Sequence, residues 1–258
     1  MAELVDAQVS GTCDLWVVEV RVFSWAPLSL DGRVVAGSRA SKENMKVSFQ
    51  PRNKPISIHM HDGDIPNSLG FSGSVAIDTE TQGLNPLRDR LCLMQLSAGD
   101  GHCHLVQFTR KTFNAPNLKK LLKNPNVVKL FHFARFDLAI IKQNLNTLCT
   151  PVYCTKVASK LVRTYTERHG LKDLTKELLG IDISKEQQSS DWARNDLTDA
   201  QKNYAAIDVL NLHIIKHHLD LMLEREKRNN LAEDCFKFLP TQAMLDLTGW
   251  GHTDIFSH

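Results

Sequence analysis

An aspartate and a glutamate separated by one threonine, Asp78-Thr79-Glu80, close the apolar run Ser74-Val75-Ala76-Ile77. Asp137 follows in His132-Phe133-Ala134-Arg135-Phe136-Asp137, and Asp208 in Tyr204-Ala205-Ala206-Ile207-Asp208. Hard divalent cations such as Mg²⁺ prefer oxygen ligands, and two such ions ~3.5–4 Å apart can clamp the attacking and leaving oxygens of a phosphodiester. Four carboxylates in this order, with a tyrosine four residues before the last, point to a two-metal phosphodiesterase. Asp78 and Glu80 alternate with Thr79, so on a strand both face one side. Two acids there repel each other unless a cation neutralises them. Tyr204 and Asp208 are one helical turn apart and share a face with Ala205, Leu212 and Ile215 close by. A free carboxylate in such apolar company is costly without a partner.

Each feature has an ordinary alternative. A lone Asp-x-Glu is common, Asp137 suits a helix N-terminus, and Tyr204 could be a half-buried core aromatic. Metal coordination is the one explanation that covers all of them together.

These side chains need a scaffold. Val75–Asp78, Leu91–Leu96 and His102–Gln107 read as three antiparallel strands separated by Gly- and Asp-containing turns. The pattern then predicts a helix over Pro116–Lys123, a strand over Val127–Phe131, a helix over Phe136–Gln143 with Asp137 near its start, and a strand at Val152–Cys154. Thr155 is expected to cap a helix to about Arg163. A further helix over Leu171–Leu179 should end at Gly180, and a loop spans Ile181–Asn195. Thr198 opens a long helix carrying Tyr204 and Asp208 to about Glu226. The result is an α/β domain with a mixed sheet flanked by helices, assigned to residues 56–258.

Residues 1–55 read as an N-terminal extension. Leu15–Phe23 could form strands, but Gly32–Lys46 is mostly polar and aperiodic. The opening Met-Ala-Glu-Leu-Val-Asp-Ala resembles conceptual translations of transfer-RNA genes, so the working protein is expected to start near Met45 or Met60. A flexible arm is the alternative. The chain has 258 residues, a net charge of +2 and 42% apolar residues. That balance suits an enzyme acting on a short oligonucleotide better than one coating long duplexes. The six cysteines show no zinc-site spacing, and no stretch has membrane-helix or signal-peptide character. A cytoplasmic enzyme with no membrane partner is the expectation.

Asp78-x-Glu80, Asp137 and Tyr204-x-x-x-Asp208 resemble the three motifs of the DEDDy branch of 3′–5′ exonucleases, which have the ribonuclease H-like fold. His169-Gly170-Leu171, Glu177–Gly180 and Ser189-Ser190-Asp191-Trp192 resemble the ribonuclease D group. His61–Pro66, Arg88–Cys92, Arg163–Gly170, Ser184–Trp192 and Asp254–Phe256 are similar to its short alphaproteobacterial members, the nanoRNase C family. The similarity runs from about His61 to the C-terminus. Phe133 departs from the wider pattern, where many members carry Asn. Full-size ribonuclease D proteins also add helical nucleic-acid-binding domains, which the roughly thirty residues after the long helix are too few to form.

The resemblance implies two Mg²⁺ or Mn²⁺ ions held by Asp78, Glu80, Asp137 and Asp208. Asp78 is shared, and Tyr204 orients the attacking water or accepts its proton. Leu84 occupies the place where related oligoribonucleases insert a leucine between the last two bases; a turn hydrophobe is the alternative. Thr79, His132, Arg135, Arg163, Lys185 and Gln188 are the expected substrate contacts. The implied partner is short single-stranded RNA, with DNA an alternative, and the implied assembly is a closed homo-oligomeric ring, octameric by resemblance. The leading expectation is a 3′–5′ exoribonuclease that degrades short RNA, dinucleotides included, to nucleoside 5′-monophosphates. A ribonuclease D-like enzyme trimming longer RNA 3′ ends, a small phosphatase and a non-enzymatic RNA-binding scaffold are the rivals.

Overall fold

The computed structural model describes residues 56–109 and 113–257. The expected N-terminal extension lies outside these residues. Six strands, β1 (Ser57–Asp62), β2 (Gly73–Thr81), β3 (Leu91–Ser97), β4 (His102–Gln107), β5 (Val127–Phe131) and β6 (Val152–Cys154), form one sheet in the order β1-β4-β3-β2-β5-β6. β3 runs antiparallel to both β2 and β4, whereas β1 pairs parallel with β4, and β5 pairs parallel with β2 and β6. Seven helices accompany the sheet: α1 (Pro116–Lys123), α2 (Ala134–Leu145), α3 (Thr155–Val162), α4 (Leu171–Leu179), α5 (Asp199–Leu210), α6 (Leu212–Arg225) and α7 (Asn229–Leu247).

The core explains the order of strands. All seven residues of β3 are buried, including Leu91, Leu93, Met94 and Leu96. A strand buried on both faces reads as a continuous apolar run, and β3 accordingly sits between β2 and β4. β2 is buried at Val75, Ala76 and Ile77, and beyond them burial alternates, with Asp78 and Glu80 partly exposed on either side of buried Thr79, so the first acid stands where the strand leaves the core. A register irregularity with β3 falls between Glu80 and Thr81. Such bulges re-aim side chains beside functional sites.

The sequence did not disclose β1 or α7, and two expectations need correction, those for the Thr198 helix and for Thr155. β1, the edge strand that contains Met60, lacks an apolar run because four of its six residues are His, Ser or Asp; its pairing with β4 supplies the order that its sequence does not. The helix opened by Thr198 is two helices, α5 and α6, divided at Asn211. Thr155 does not cap α3. Cys154 occupies that position without a side-chain bond, and the Thr155 hydroxyl donates to the Phe131 carbonyl at 3.1 Å. Finally, α7 closes the domain against α2, α3 and β6, with Phe236 packed 4.5 Å from the Tyr153 ring.

Candidate active site

β2 and α5 carry the centre. Thr198 and Gln201 form a reciprocal capping box that fixes the start of α5, satisfying donors that a helix N-terminus otherwise leaves open. Gln201 is buried and its amide also reaches the Ser190 hydroxyl and the Asp191 carbonyl at 3.1 and 3.0 Å. The preceding loop is thereby tied to the same helix end. Ala205 and Ala206, both fully buried, let α5 lie close on β2, β3 and β4. Tyr204 and Asp208 then sit at the margin of this contact, and Trp192 packs 6.0 Å from the Tyr204 ring.

One carboxylate oxygen from each of Asp78, Glu80 and Asp208 lies within 4.8 Å of the others. All three side chains are partly buried. Desolvation raises each carboxyl group, Asp78 to about 7 and Glu80 and Asp208 well above the usual range. The charge of Asp78 adds to the effect on Glu80 and Asp208. Asp208 also occupies the last turn of α5, where the helix macrodipole disfavours an anion. Burial, mutual repulsion and the dipole all call for positive charge at one point, and an all-oxygen donor set fits a hard divalent cation.

Asp137 completes the set from a different direction. It is buried in the first turn of α2 and accepts a 2.6 Å hydrogen bond from the Thr79 hydroxyl. Burial raises its carboxyl group well above normal, followed by the charge of Asp78. Phe133, immediately before α2, adopts a left-handed conformation with φ 69°. Asn tolerates that region far better than an aromatic residue.

Gln95 went unrecognised in the sequence. It is fully buried, stands opposite Asp78 in the β2–β3 register, and its amide donates to Asp78 Oδ2 at 3.5 Å. A lone amide inside Leu93-Met94-Gln95-Leu96 was the available signal.

The other expected contacts divide. Leu84 is 88% exposed, which removes the turn-hydrophobe alternative. Its loop is held by Asp89, whose carboxylate accepts from the Asn85 backbone at 2.9 Å; a Cβ at Gly83 would come within 2.2 Å of that carboxylate. Lys185 and Gln188 lie exposed on the loop before α5. Thr79 is buried and spends its hydroxyl on Asp137, so it positions that carboxylate instead of touching substrate through that group. His132 Nδ1 pairs with the Thr155 hydroxyl at 2.9 Å, and burial pushes its pKa down to about 3.

The two arginines are corrections. Arg135 makes a bidentate pair with Asp246 of α7, both contacts at 2.6 Å, and donates to the Gly251 carbonyl. Arg163 is fully buried and bonds Glu177, the Ser159 hydroxyl and the Arg168 carbonyl. Burial withdraws Arg163 from substrate phosphate, whereas Arg135, with its side chain 38% exposed, is committed to Asp246. Arg163→Met should therefore cost about 1–3 kcal/mol of stability through the hydrogen bonds it loses, chiefly that to the buried Ser159 hydroxyl, read from the urea midpoint. A phosphate contact would instead appear as a raised KM with an unchanged midpoint.

A 3′–5′ exonuclease family pattern matches residues 63–224. Among solved structures, NrnC of Brucella melitensis with bound Mg²⁺ is 53% identical, with a TM-score of 0.75 over 78% of this chain and 99% of that one. The same protein bound to pGG is 54% identical, with a TM-score of 0.75 over 79% and 99%. A curated ribonuclease D of Gluconacetobacter diazotrophicus is 36% identical over 60% of this chain and 39% of its own length. One from Jannaschia sp. is 32% identical over 62% and 42%. The chain thus spans less than half the length of these curated relatives. The strand order and flanking helices are those of the ribonuclease H-like 3′–5′ exonuclease fold.

Proposed function

The chain belongs to the 3′–5′ exonuclease family, and on that premise we propose that it hydrolyses short RNA, dinucleotides included, from the 3′ end to nucleoside 5′-monophosphates. The observation that carries this reading is the convergence of Asp78, Glu80 and Asp208 oxygens within 4.8 Å, with Asp137 fixed beside them by Thr79. Similarity to a protein bound to pGG over nearly its whole length supports the short substrate.

Asp78, Glu80 and Asp208 would hold one Mg²⁺ or Mn²⁺, and Asp78 with Asp137 a second. Bound ions neutralise charge on the attacking and leaving oxygens and acidify water. The protein's own contribution is positional. Burial and the carboxylates of Asp208, Glu80 and Asp78 raise the Tyr204 phenol above its ordinary range, and one turn from Asp208 it would orient the attacking water or accept its proton. Gln95 and Thr79 hold Asp78 and Asp137 in place. Leu84 projects from its braced loop as a wedge between the last two bases, and Lys185 and Gln188 face the phosphate backbone. Leu84→Ala is expected to raise KM for a dinucleotide roughly tenfold, the worth of about 1.4 kcal/mol of stacking, with kcat nearly unchanged in steady-state assays.

A closed homo-oligomer is part of the reading, octameric by family resemblance. The exposed apolar residues Leu231, Phe238, Trp250 and Phe256 at the C-terminal end of the domain support self-association. Light scattering tests it: a monomeric mass rejects the ring. No helix among the described residues is long and apolar enough to cross a membrane, and the five described cysteines are all free. Free thiols fit a cytoplasmic setting.

The deciding assay follows 5′-labelled RNAs from the dinucleotide upward with Mg²⁺ or Mn²⁺. Consumption of the dinucleotide at least as fast as longer chains supports the reading. Accumulating dinucleotides would mark a ribonuclease D-like trimming enzyme, the reading favoured by the curated relatives. Released free phosphate would mark a phosphatase, and inertness of wild type and Asp137→Ala alike a scaffold. A parallel DNA series tests sugar choice.

A further inference from the structure

Four imidazoles form a ladder at the edge of the sheet, on strands that carry none of the carboxylates. β1 and β4 pair in parallel with His59 opposite His104. Strand alternation places His59, His61, His102 and His104 on one face. Their rings stack in the sequence His61, His104, His59, His102, with centroids 5.3, 4.9 and 5.3 Å apart and interplanar angles of 22°, 19° and 24°. Two cross-strand contacts join nitrogen to nitrogen. His61 Nε2 meets His104 Nδ1 at 3.0 Å, and His59 Nε2 meets His102 Nδ1 at 3.1 Å.

A nitrogen–nitrogen hydrogen bond requires one ring to donate and its partner to accept, so at least one member of each pair is neutral. Neutral imidazole is also the form that binds metal. Burial together with neighbouring histidines lowers His61 and takes His104 to about 4. His104 is also the most confined of the four, with a ring stacked on either side and the Phe71 ring edge-on at 6.1 Å. Asp100, which accepts from the His102 backbone at 2.9 Å, is the nearby carboxylate.

We propose that the ladder is a second cation site, for a borderline transition-metal ion such as Zn²⁺, chelated by His61 Nε2 and His104 Nδ1. Two nitrogens 3.0 Å apart, each ~2.05 Å from one ion, subtend about 95°, between octahedral and tetrahedral values. Binding needs no net proton loss. The N–H shared between the inner nitrogens gives way to a tautomer pair carrying N–H on His61 Nδ1 and His104 Nε2, which frees both inner lone pairs for an ion placed beside the N–N line by a tilt of the rings. Solvent completes the coordination sphere. Imidazole donors select a different class of ion from the all-oxygen cluster on β2 and α5, so the two sites are chemically separable.

The test is equilibrium dialysis of the full chain against Zn²⁺ in excess Mg²⁺, with Co²⁺ absorption as a spectroscopic readout. The difference between wild type and His104→Gln isolates the ladder from the carboxylate cluster. Wild type should retain one more Zn²⁺ per chain than His104→Gln. His61→Gln should show the same loss, with affinity at least about tenfold weaker in both and the cobalt band absent. Equal retention by wild type and His104→Gln overturns the proposal. So does loss of Zn²⁺ in His102→Gln with full retention in His104→Gln. Unchanged circular dichroism in the variants excludes unfolding as the cause, and neither readout depends on nuclease activity.

Discussion

Asp78→Asn is expected to lower mononucleotide release by about three orders of magnitude, on the order of 4 kcal/mol of lost transition-state stabilisation. Asp78 is the acid whose charge acts on each of Glu80, Asp137 and Asp208, and it is the one carboxylate assigned to both ions. The amide keeps the shape of the side chain but removes the charge that makes it a strong cation ligand. The loss should fall on kcat, because the wedge and backbone contacts that bind RNA are untouched. Single-turnover and steady-state rates with a dinucleotide measure it. A variant within tenfold of wild type would show that the cluster is not the catalytic centre.

The second expectation concerns the protein without its ions. Asp78 has a folded pKa of about 7, against about 3.9 in an unfolded chain. Well below pH 4, both states hold the proton. Between about 4 and 7 the unfolded chain has released a proton that the folded chain keeps, so stability falls as pH rises through this window and levels off above it. Glu80, Asp137 and Asp208 are shifted in the same direction and deepen the decline. Asp78→Asn should therefore be more stable than wild type in chelator at pH 8, and the difference should shrink toward pH 4. Mn²⁺ reverses the order: at ~100 times its Kd, it adds about 2.7 kcal/mol to wild type, or roughly 5–10 °C in Tm. Scanning calorimetry of both proteins, with chelator and with Mn²⁺, reads each quantity. A wild type that gains nothing from Mn²⁺ at pH 8 contradicts the assignment.

The same residues show what the sequence could disclose. The clustered carboxylates and Tyr204 were legible because each breaks a strong local pattern: acids ending the buried run of β2, and a Tyr–Asp pair one turn apart beside alanines. β3 and α4 were legible from apolar continuity and from the Gly180 stop. β1 was not, since an edge strand rich in histidine owes its order to β4. Arg135 and Arg163 were misplaced for a related reason. Basic residues near a nuclease motif look like phosphate ligands until their partners, Asp246 and Glu177, are brought in from 111 and 14 residues away. Thr79 had a similar fate, because only the fold sets its hydroxyl against Asp137. Gln95 was visible as an oddity but had no meaning until its register with Asp78 was known.

The interruption at Asn211 gives α5 an angular reference of its own. Each added residue turns a helix by about 100°, so a change inside one unbroken rod would swing every side chain beyond it. Here the Thr198–Gln201 box sets the angle at one end, and beyond Asn211 the chain continues into α6, which packs against α3 and α4. Tyr204 and Asp208 are aimed from the capped end of α5, ahead of α6 in the chain. The outer helices can vary with whatever they contact, while the bearing of the chemical groups stays fixed.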